Sequence, residues 1–372
     1  MNLDPVVRDG FQHFYNLDYD GAMQRFQEVE RTHPQDPMAV GYILMDTIFR
    51  ELYRQDLLDT TYYAREHFLS SGHKSDVPSA TREHIEQLTD TAISLADARI
   101  KANGNDKDAY FARGYAKGMH AAWITLVDHS FTGAARQGLA SRNDSEQVLK
   151  LDPTYSDAKM AIGIQQFAVA SLPRFVRMLV GIAGVGGNKE QGLALLRDAA
   201  AHGTATKVES QTALSLFLRH DHRYADAYAV AQGLARQYPH DFLFRLEEAN
   251  LMKDAGHGQE AIAIYRAVLD DAAKPGYFVE PRLQLAYFGL GETQRGQGSL
   301  NDAVISYVKA STQANCSDWM RKRAQLAAGM MYDLLHRRED AMVQYRLAAA
   351  AGGDQTQASD ARKYMRTPYA GT

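Results

Sequence analysis

The sequence predicts an all-α protein, an α-solenoid built from antiparallel helix pairs, on three observations. Good helix formers dominate long stretches of the 372 residues, and only ten prolines interrupt them. Apolar residues make up 45% of the chain, which is ample for a buried core. A short phrase centred on alanine recurs along the C-terminal half at steps of 34, 42 and 38 residues. Because a solenoid grows by stacking such units, its length is not limited as that of a single core is.

Each copy of the phrase joins an alanine to a residue one helical turn later, which is aromatic in most copies. The copies are Ala22-x3-Phe26, Ala227-x3-Ala231, Ala261-x3-Tyr265, Ala303-x3-Tyr307 and Ala341-x3-Tyr345. Twelve residues before each alanine stands a small residue, in the same order Gly10, Ser215, Ala249, Gly291 and Gly329. Small residues on both helices of a pair allow close approach, and the aromatic ring is expected to fill the gap against the neighbouring pair. Pro34 and Pro239 close two of the units, because proline cannot continue a helix.

These residues resemble the tetratricopeptide repeat (TPR), whose pattern is W-x2-L-G-x2-Y…A-x3-F…P over 34 residues. Leu290 and Gly291 keep the L-G pair, and Tyr332 follows Gly329 at the interval of the pattern's tyrosine, but no copy keeps the tryptophan. The resemblance implies a right-handed superhelix. It also implies that the first helix of each pair lines a concave groove that binds peptides or partner proteins.

The predicted organisation is one solenoid over residues 1–372. Its parts are a first repeat at 3–36, irregular helical pairs at 37–204, regular repeats at 205–350 and a polar capping helix at 359–365. Within the irregular part, residues 37–70 and 79–103 are predicted as long amphipathic helical stretches.

An insert at 167–189 interrupts the irregular part, with Leu172-Pro173-Arg174 breaking a helix ahead of a glycine-rich run. This insert resembles a segment of uncharacterised bacterial TPR proteins and, more distantly, a eukaryotic TPR family linked to clearance of protein inclusions. Arg174, Phe175 and Arg177 are predicted to form its surface. Two interpretations remain open: a structural insert, or an apolar lid at 172–187 that makes the protein a small-molecule or lipid-binding helper.

Catalytic and cofactor chemistry finds little support in the sequence. The glycines before Lys189 do not form a phosphate loop, since Asn188 intervenes and Glu190 replaces the required Ser or Thr; Asn188 is instead predicted to cap a helix. His220-Asp221-His222 lacks further metal ligands nearby, and Cys316, the only cysteine, is predicted to be a small core residue. We therefore predict no enzyme, no cofactor and no metal. A helical hydrolase or transferase built from distant residues remains the third-ranked hypothesis.

The charge and hydropathy of the sequence indicate which class of partner and which compartment to expect. The net charge of −4 has no basic stripe to match a nucleic acid, so a protein or peptide partner is expected. No apolar run reaches the roughly 20 residues that span a bilayer. The first five residues do not begin a signal peptide. The expectation is a soluble protein, cytoplasmic as the chain reads, or periplasmic or secreted if a leader has been removed.

The candidate site is the groove lined by the first helices. Register places seven side chains toward it: Arg219, Asn250, Lys253, Glu292, Arg295, Met330 and Asp333. Arg219, Lys253 and Arg295 share one phase and are predicted to form a cationic row for an acidic segment. Leu246 stands where the family's clamp for C-terminal carboxylates needs a lysine, so that ligand is not expected. The alternative interpretation is that these residues are merely solvated.

Overall fold

A computed structural model describes residues 4–63, 73–172 and 186–371. Helix accounts for 74% of the structure, and no β-strand occurs in the described residues. The described helices are α1 (Pro5–Phe14), α2 (Tyr19–Thr32), α3 (Pro37–Arg54), α4 (Ser79–Ala102), α5 (Lys107–Leu126), α6 (Phe131–Leu151), α7 (Lys159–Ser171), α8 (Lys189–His202), α9 (Lys207–His220), α10 (Tyr224–Gln237), α11 (Phe242–Asp254), α12 (Gly258–Ala272), α13 (Leu283–Gly296), α14 (Leu300–Ser311), α15 (Asp318–Leu334), α16 (Arg338–Ala348) and α17 (Ala358–Arg366). A 3₁₀ turn, Ser156–Ala158, precedes α7. The predicted all-α class is confirmed.

The chain forms two compact units and enters each of them twice. The first unit consists of Met1–Arg50 and Pro78–Val230, and the second of Glu51–Val77 and Ala231–Thr372. Most of the second unit is therefore C-terminal, but 27 residues from the N-terminal part of the chain belong to it. These residues supply the candidate site below.

Within each unit, consecutive helices pack as antiparallel pairs, as the repeat predicts. In α1 and α2, Gly10 lies against Phe26 while His13, further along α1, lies against Gly21, near the start of α2. The same geometry recurs in the second unit. A Cβ on Gly291 would stand 2.9 Å from the Tyr307 ring, and one on Gly329 would stand 2.5 Å from the Tyr345 ring. The chain thus has a TPR-like helical-repeat fold.

The aromatic residue of the phrase packs within its own pair as well as against the element that follows, where Phe26 meets Tyr42 and Tyr345 meets Tyr364. Phe26, Tyr307 and Tyr345 pack on the small residue of the first helix in their own pair, rather than only on the neighbouring pair. Tyr265 does reach the following pair, where its hydroxyl contacts Gly289 of α13. Because the ring needs the space that a side chain would fill, the glycine and the ring form one packing unit.

Local sequence signals set several helix ends. Asp18, Asp106, Asn188 and Asp241 each accept a hydrogen bond from a backbone N–H in the first turn of the following helix, at 2.9–3.0 Å. The predicted cap at Asn188 is confirmed. Helices α4 and α17 match the predicted helices at 79–103 and 359–365. Helix α3, however, ends at Arg54 and does not continue toward residue 70 as predicted, because residues 55–63 leave the helix for contacts of their own.

Candidate functional site

The first-helix face of the second unit holds a piece of the chain itself. We call residues 51–63 and 73–77 the docked segment, and the face of α11, α13 and α15 that it contacts the first-helix face. These helices are the first members of three successive pairs. The docked segment contacts all three of them or the residues that begin them. The contacts of the docked segment show which donors and rings this face presents.

Asp56 makes the central contact. Its side chain is fully buried and accepts from Arg282 Nε at 2.7 Å, from Gln284 Nε2 at 2.7 Å and from the backbone N–H of Ser317 at 2.9 Å. Arg282 and Ser317 stand at the starts of α13 and α15, so two repeats share one carboxylate. The φ of Asp56 is +60°, a left-handed conformation that aspartate tolerates better than most residues. Charge-assisted bonds of this kind are among the stronger contacts in a protein interior.

Asp59, three residues later, is bound by α11, the first helix of the pair that precedes α13. Its Oδ1 accepts from the side-chain amide of Asn250 on α11 at 3.1 Å and from its own segment's Thr61 N–H at 2.8 Å. Asn250 is 2% exposed, and its amide oxygen accepts from the Tyr265 hydroxyl. Tyr265 fixes the orientation of the amide in this way, so that the NH2 group faces Asp59. Thr60 adds a hydrogen bond to Glu247 on the same helix.

Tyr62, three residues further on, enters an aromatic site on α15. Its ring meets the Trp319 ring edge-to-face, with centroids 5.0 Å apart, and its hydroxyl lies 3.2 Å from Met320 Sδ. The Arg323 guanidinium lies 4.9 Å from the centre of the Tyr62 ring. Tyr62 is 1% exposed, so the edge-to-face contact and the cation–π contact are both shielded from water.

The face also binds the backbone of the docked segment. Trp319 Nε1 donates to Gln55 O at 2.7 Å, and Arg282 Nη2 donates to Arg54 O at 2.7 Å. Further along, the Lys74 N–H donates to Asp354 Oδ2 at 2.7 Å. Bonds to carbonyls do not depend on side-chain identity, so they contribute affinity. Selectivity comes from the buried side chains of Asp56, Asp59 and Tyr62.

A buried lysine supports the last of these contacts. Lys322 is 5% exposed and donates to the carbonyls of Gly352 and Asp354, each at 2.7 Å, and to that of Ala350 at 3.2 Å. Its ammonium group satisfies three carbonyls of one loop with its three donors. The loop is thereby held where Asp354 meets Lys74.

The other predicted groove residues are already engaged in local contacts. Lys253 Nζ lies 3.7 Å from Asp254, and Arg295 pairs with Glu292 at 3.2 Å while its side chain stays 40% exposed. Glu292 also accepts from the Tyr307 hydroxyl. Met330 packs against the cluster around Tyr345.

Two further members of the predicted set, Asp333 and Arg219, are buried like Asn250. Asp333 accepts from Arg338, from the Tyr345 hydroxyl and from the Tyr369 N–H. Arg219 is 1% exposed and belongs to the first unit. Only Asn250 of the predicted set contacts the docked segment in the bonds described above. Its role as a ligand-binding residue, and the roles of the others, remain predictions.

The predicted insert surface, Arg174, Phe175 and Arg177, lies outside the described residues. The residues on either side of it are ordinary helix ends. Leu172 terminates α7, and Asn188 begins α8. Lys189 forms an ion pair with Asp221 and lies 5.2 Å from the Phe167 ring centre, so its ammonium group is used within the first unit.

Reactive groups have environments that suit a structural role. Cys316 is 8% exposed, and burial raises the pKa of its thiol to about 12, which suppresses the reactive thiolate. His222 bonds the Tyr224 hydroxyl at 2.8 Å. Across residues 4–63, 73–172 and 186–371, no three His, Cys, Asp or Glu side chains converge as a metal site would require. No helix in those same stretches is both long and apolar enough to cross a membrane.

The first unit contains buried acids of a different kind. Neither carboxyl oxygen of Asp46 on α3 has a hydrogen-bond partner among the described residues, and burial raises its pKa to about 8. Burial also raises the pKa of Glu209 on α9 to about 7, although the Tyr15 hydroxyl donates to it at 2.8 Å. At neutral pH, Asp46 is therefore largely a neutral acid within the core.

Comparison with known proteins yields structural matches alone. No protein-family model matches the sequence, and no curated protein matches it significantly. The crystal structure of yeast Tom70 is similar at 12% identity with a TM-score of 0.45, over 97% of this chain and 94% of that one. A tetratricopeptide repeat protein from Parabacteroides merdae is similar at 10% identity with a TM-score of 0.39, over 87% of this chain and 97% of that one.

Proposed function

We propose that this protein is a non-catalytic scaffold that binds a segment of a partner protein on the first-helix face of its second unit. One observation supports this more than any other: the face already holds a non-repeat segment of the chain, formed by the last turn of α3 and the turns that follow it. Side chains from three successive pairs bind that polypeptide through its carboxylates, its aromatic ring and its backbone carbonyls. A surface that binds one peptide segment this way has the chemistry to bind another.

The repeat architecture explains why the ligand would span several helix pairs. Equivalent positions on stacked first helices form rows, so a chain lying across them meets a new set of side chains at each pair. Asp59 meets α11, whereas Asp56 meets the starts of α13 and α15. The face also bonds the carbonyls of Arg54 and Gln55, which stand at the C-terminal end of α3 where a helix leaves its carbonyls without backbone partners.

Charge favours an acidic partner. Arg295 keeps 40% of its side chain exposed and Lys253 keeps 11%, and both stand on first helices at the predicted phase. Cations at the edge of a binding face raise the association rate of an acidic segment more than its final affinity, and salt weakens that effect. Arg295 is the exposed member of the predicted cationic row in the second unit, and Lys253 is largely buried beside Asp254.

The test is peptide selection on the whole protein. A phage library of random 12-residue peptides is panned against the full chain, and the selected peptides are resynthesised with a fluorescent label. We expect acidic sequences that bind at micromolar Kd, with association slowed about tenfold in the double variant Lys253→Glu, Arg295→Glu.

Arg266→Glu provides the matched control, because Arg266 is an exposed cation on α12, a second helix. It should leave the association rate unchanged. Selection of no binder, or of binders that are indifferent to the double variant, would remove the support for a scaffold at this face.

A further inference from the structure

The docked segment has the pattern of a bound ligand. Its three buried anchors, Asp56, Asp59 and Tyr62, are spaced three residues apart, and each enters a site built by the first-helix face. The segment that follows α3 has no repeat phase of its own, and its residues 55–63 are not helical. It is not a member of the stack of helix pairs but lies on that stack.

We infer that residues 56–62 are an intramolecular ligand of the first-helix face, and that the partner segment this face takes has the same pattern. That pattern is two carboxylates three residues apart, followed after three more residues by an aromatic side chain. The inference rests on the proposed function and specifies its ligand. The partner binds by replacing the docked segment, so the free face is exposed only when that segment leaves.

The polarity of the contacts makes replacement feasible. Asp56 and Asp59 are acceptors, and the face supplies donors from Arg282, Gln284, Ser317 and Asn250. If the docked segment left without a substitute, these buried donors would lose their partners, and that carries a large penalty. A second segment with carboxylates at the same spacing satisfies the same donors, so exchange avoids the penalty.

Because the docked segment is part of the same chain, its effective concentration determines how tightly a partner must bind to replace it. A ligand on the same chain acts at a high effective concentration, of millimolar order for a short flexible connection. A free peptide of identical sequence is therefore expected to bind the wild-type protein weakly. Weakening the docked segment, without altering the face, should reveal the higher affinity.

The experiment uses a labelled 13-residue peptide with the sequence of residues 51–63 and a scrambled version of it. The receptors are the full-length wild type and the double variant Asp56→Asn, Asp59→Asn, which changes only the docked segment. The control is Asp302→Asn, an exposed aspartate on α14. We expect the double variant to bind the peptide at least tenfold more tightly than the wild type and the control do. The scrambled peptide should bind to none of them.

A second measurement needs no variant and remains decisive if the double variant fails to fold. The peptide is synthesised with ¹³C and ¹⁵N, and hydrogen exchange of the chain's own residues 51–63 is followed by mass spectrometry at increasing peptide concentration. Exchange of the chain's own segment should accelerate as the peptide takes its place.

Two results would overturn the inference: a folded double variant that binds the peptide no better than Asp302→Asn does, or unchanged exchange of the segment at a peptide concentration of several millimolar. The proposed function would survive either result, because Lys253 and Arg295 stand at the edge of the first-helix face, where a selected peptide could bind without displacing the docked segment. The opposite outcome also separates the two proposals. If no selected peptide depended on Lys253 and Arg295 but the peptide of residues 51–63 still displaced the docked segment, the inference would stand without the proposed cationic contacts.

Discussion

Two buried aspartates, ten residues apart in the chain, mark the difference between the two units. Asp46 in the first unit and Asp56 in the second are both fully inaccessible to solvent. Asp56 has a guanidinium, an amide and a backbone N–H within 2.7–2.9 Å. Asp46 has no hydrogen-bond donor among the described residues, and its pKa rises to about 8 through burial, against the opposing charge of Arg50. Burial is equal at the two sites, so the available donors determine whether the carboxyl stabilises its unit or destabilises it.

The strongest test of the comparison removes the satisfied carboxylate. Asp56→Ala leaves the buried Arg282 guanidinium and the Gln284 amide without their shared acceptor. Because breaking a buried charged pair costs about 3–5 kcal/mol, we expect the free energy of unfolding of the second unit to fall by that amount. Urea unfolding followed by Trp319 fluorescence measures it, in a Trp123→Phe background so that the first unit is silent.

Asp302→Ala is the control for this loss, because that aspartate is exposed on a second helix and should change stability by less than about 0.5 kcal/mol. A loss below about 1 kcal/mol for Asp56→Ala would mean that water or another group replaces the carboxylate. The docked segment would then be held mainly by its other contacts, such as those of Asp59 and Tyr62.

The complementary test removes the unsatisfied carboxyl. The pKa of Asp46 is about 8 in the folded protein and about 3.9 in the unfolded chain, so the folded state binds the additional proton between those values. Stability from this group is complete below about pH 4 and is lost as the pH rises toward 8. Asp46→Asn removes the ionisation, so the variant does not lose this stability. Between pH 5 and pH 7, its unfolding free energy should therefore rise by about 2–3 kcal/mol relative to that of the wild type.

Trp123, which is 1% exposed in the first unit, reports this transition when both proteins also carry Trp319→Phe. Glu209 contributes a pH dependence of the same sign, but it is present in variant and wild type alike and cancels in the difference. If the two proteins keep a constant stability difference over this range, then Asp46 is solvated or paired and the contrast with Asp56 is lost.

The sequence could predict the repeat but not the docked segment. The contact between Gly329 and Tyr345 joins residues 16 apart and recurs in phase, so spacing and side-chain size are enough to predict a pairing. The contacts of Asp56 join residues more than 220 apart and occur once. Neither partner belongs to a periodic pattern. Arg282 and Gln284 also lie N-terminal to the positions at which the repeat register places groove residues. Asn250 was predicted by register to face a ligand, but nothing in the sequence indicated that Asp59 would contact it.

The packing unit of glycine and aromatic ring supplies a smaller and more local test. A Cβ added at Gly329 would stand 2.5 Å from the Tyr345 ring, whereas one added at Gly233 on α10 would meet nothing within 4 Å. Gly329→Ala should therefore cost about 1–3 kcal/mol through overpacking. Gly233→Ala should instead stabilise by about 0.5–1 kcal/mol, because alanine is the better helix former. Thermal unfolding of the two variants measures effects of opposite sign, and a shared sign would show that the repeat register is misplaced.

The smallest expected effect concerns the reactivity of a single thiol beside the docked segment. Burial is the main cause of the raised pKa of Cys316, about 12, and the charge of Asp56 adds to it. Ser317, the next residue, donates its backbone N–H to Asp56, so departure of the docked segment would remove that charge from the neighbourhood of the thiol. Alkylation by iodoacetamide at pH 8 should be slow in the wild type, because little thiolate is present. It should accelerate several-fold in the double variant Asp56→Asn, Asp59→Asn, or when the peptide of residues 51–63 is added to the wild type. Mass spectrometry counts the modified thiol, and circular dichroism confirms that the helices remain.

Acceleration with the peptide but not with its scrambled version would tie the reactivity to replacement of the docked segment. Equal rates with both peptides would indicate that Cys316 reports only general unfolding of the second unit.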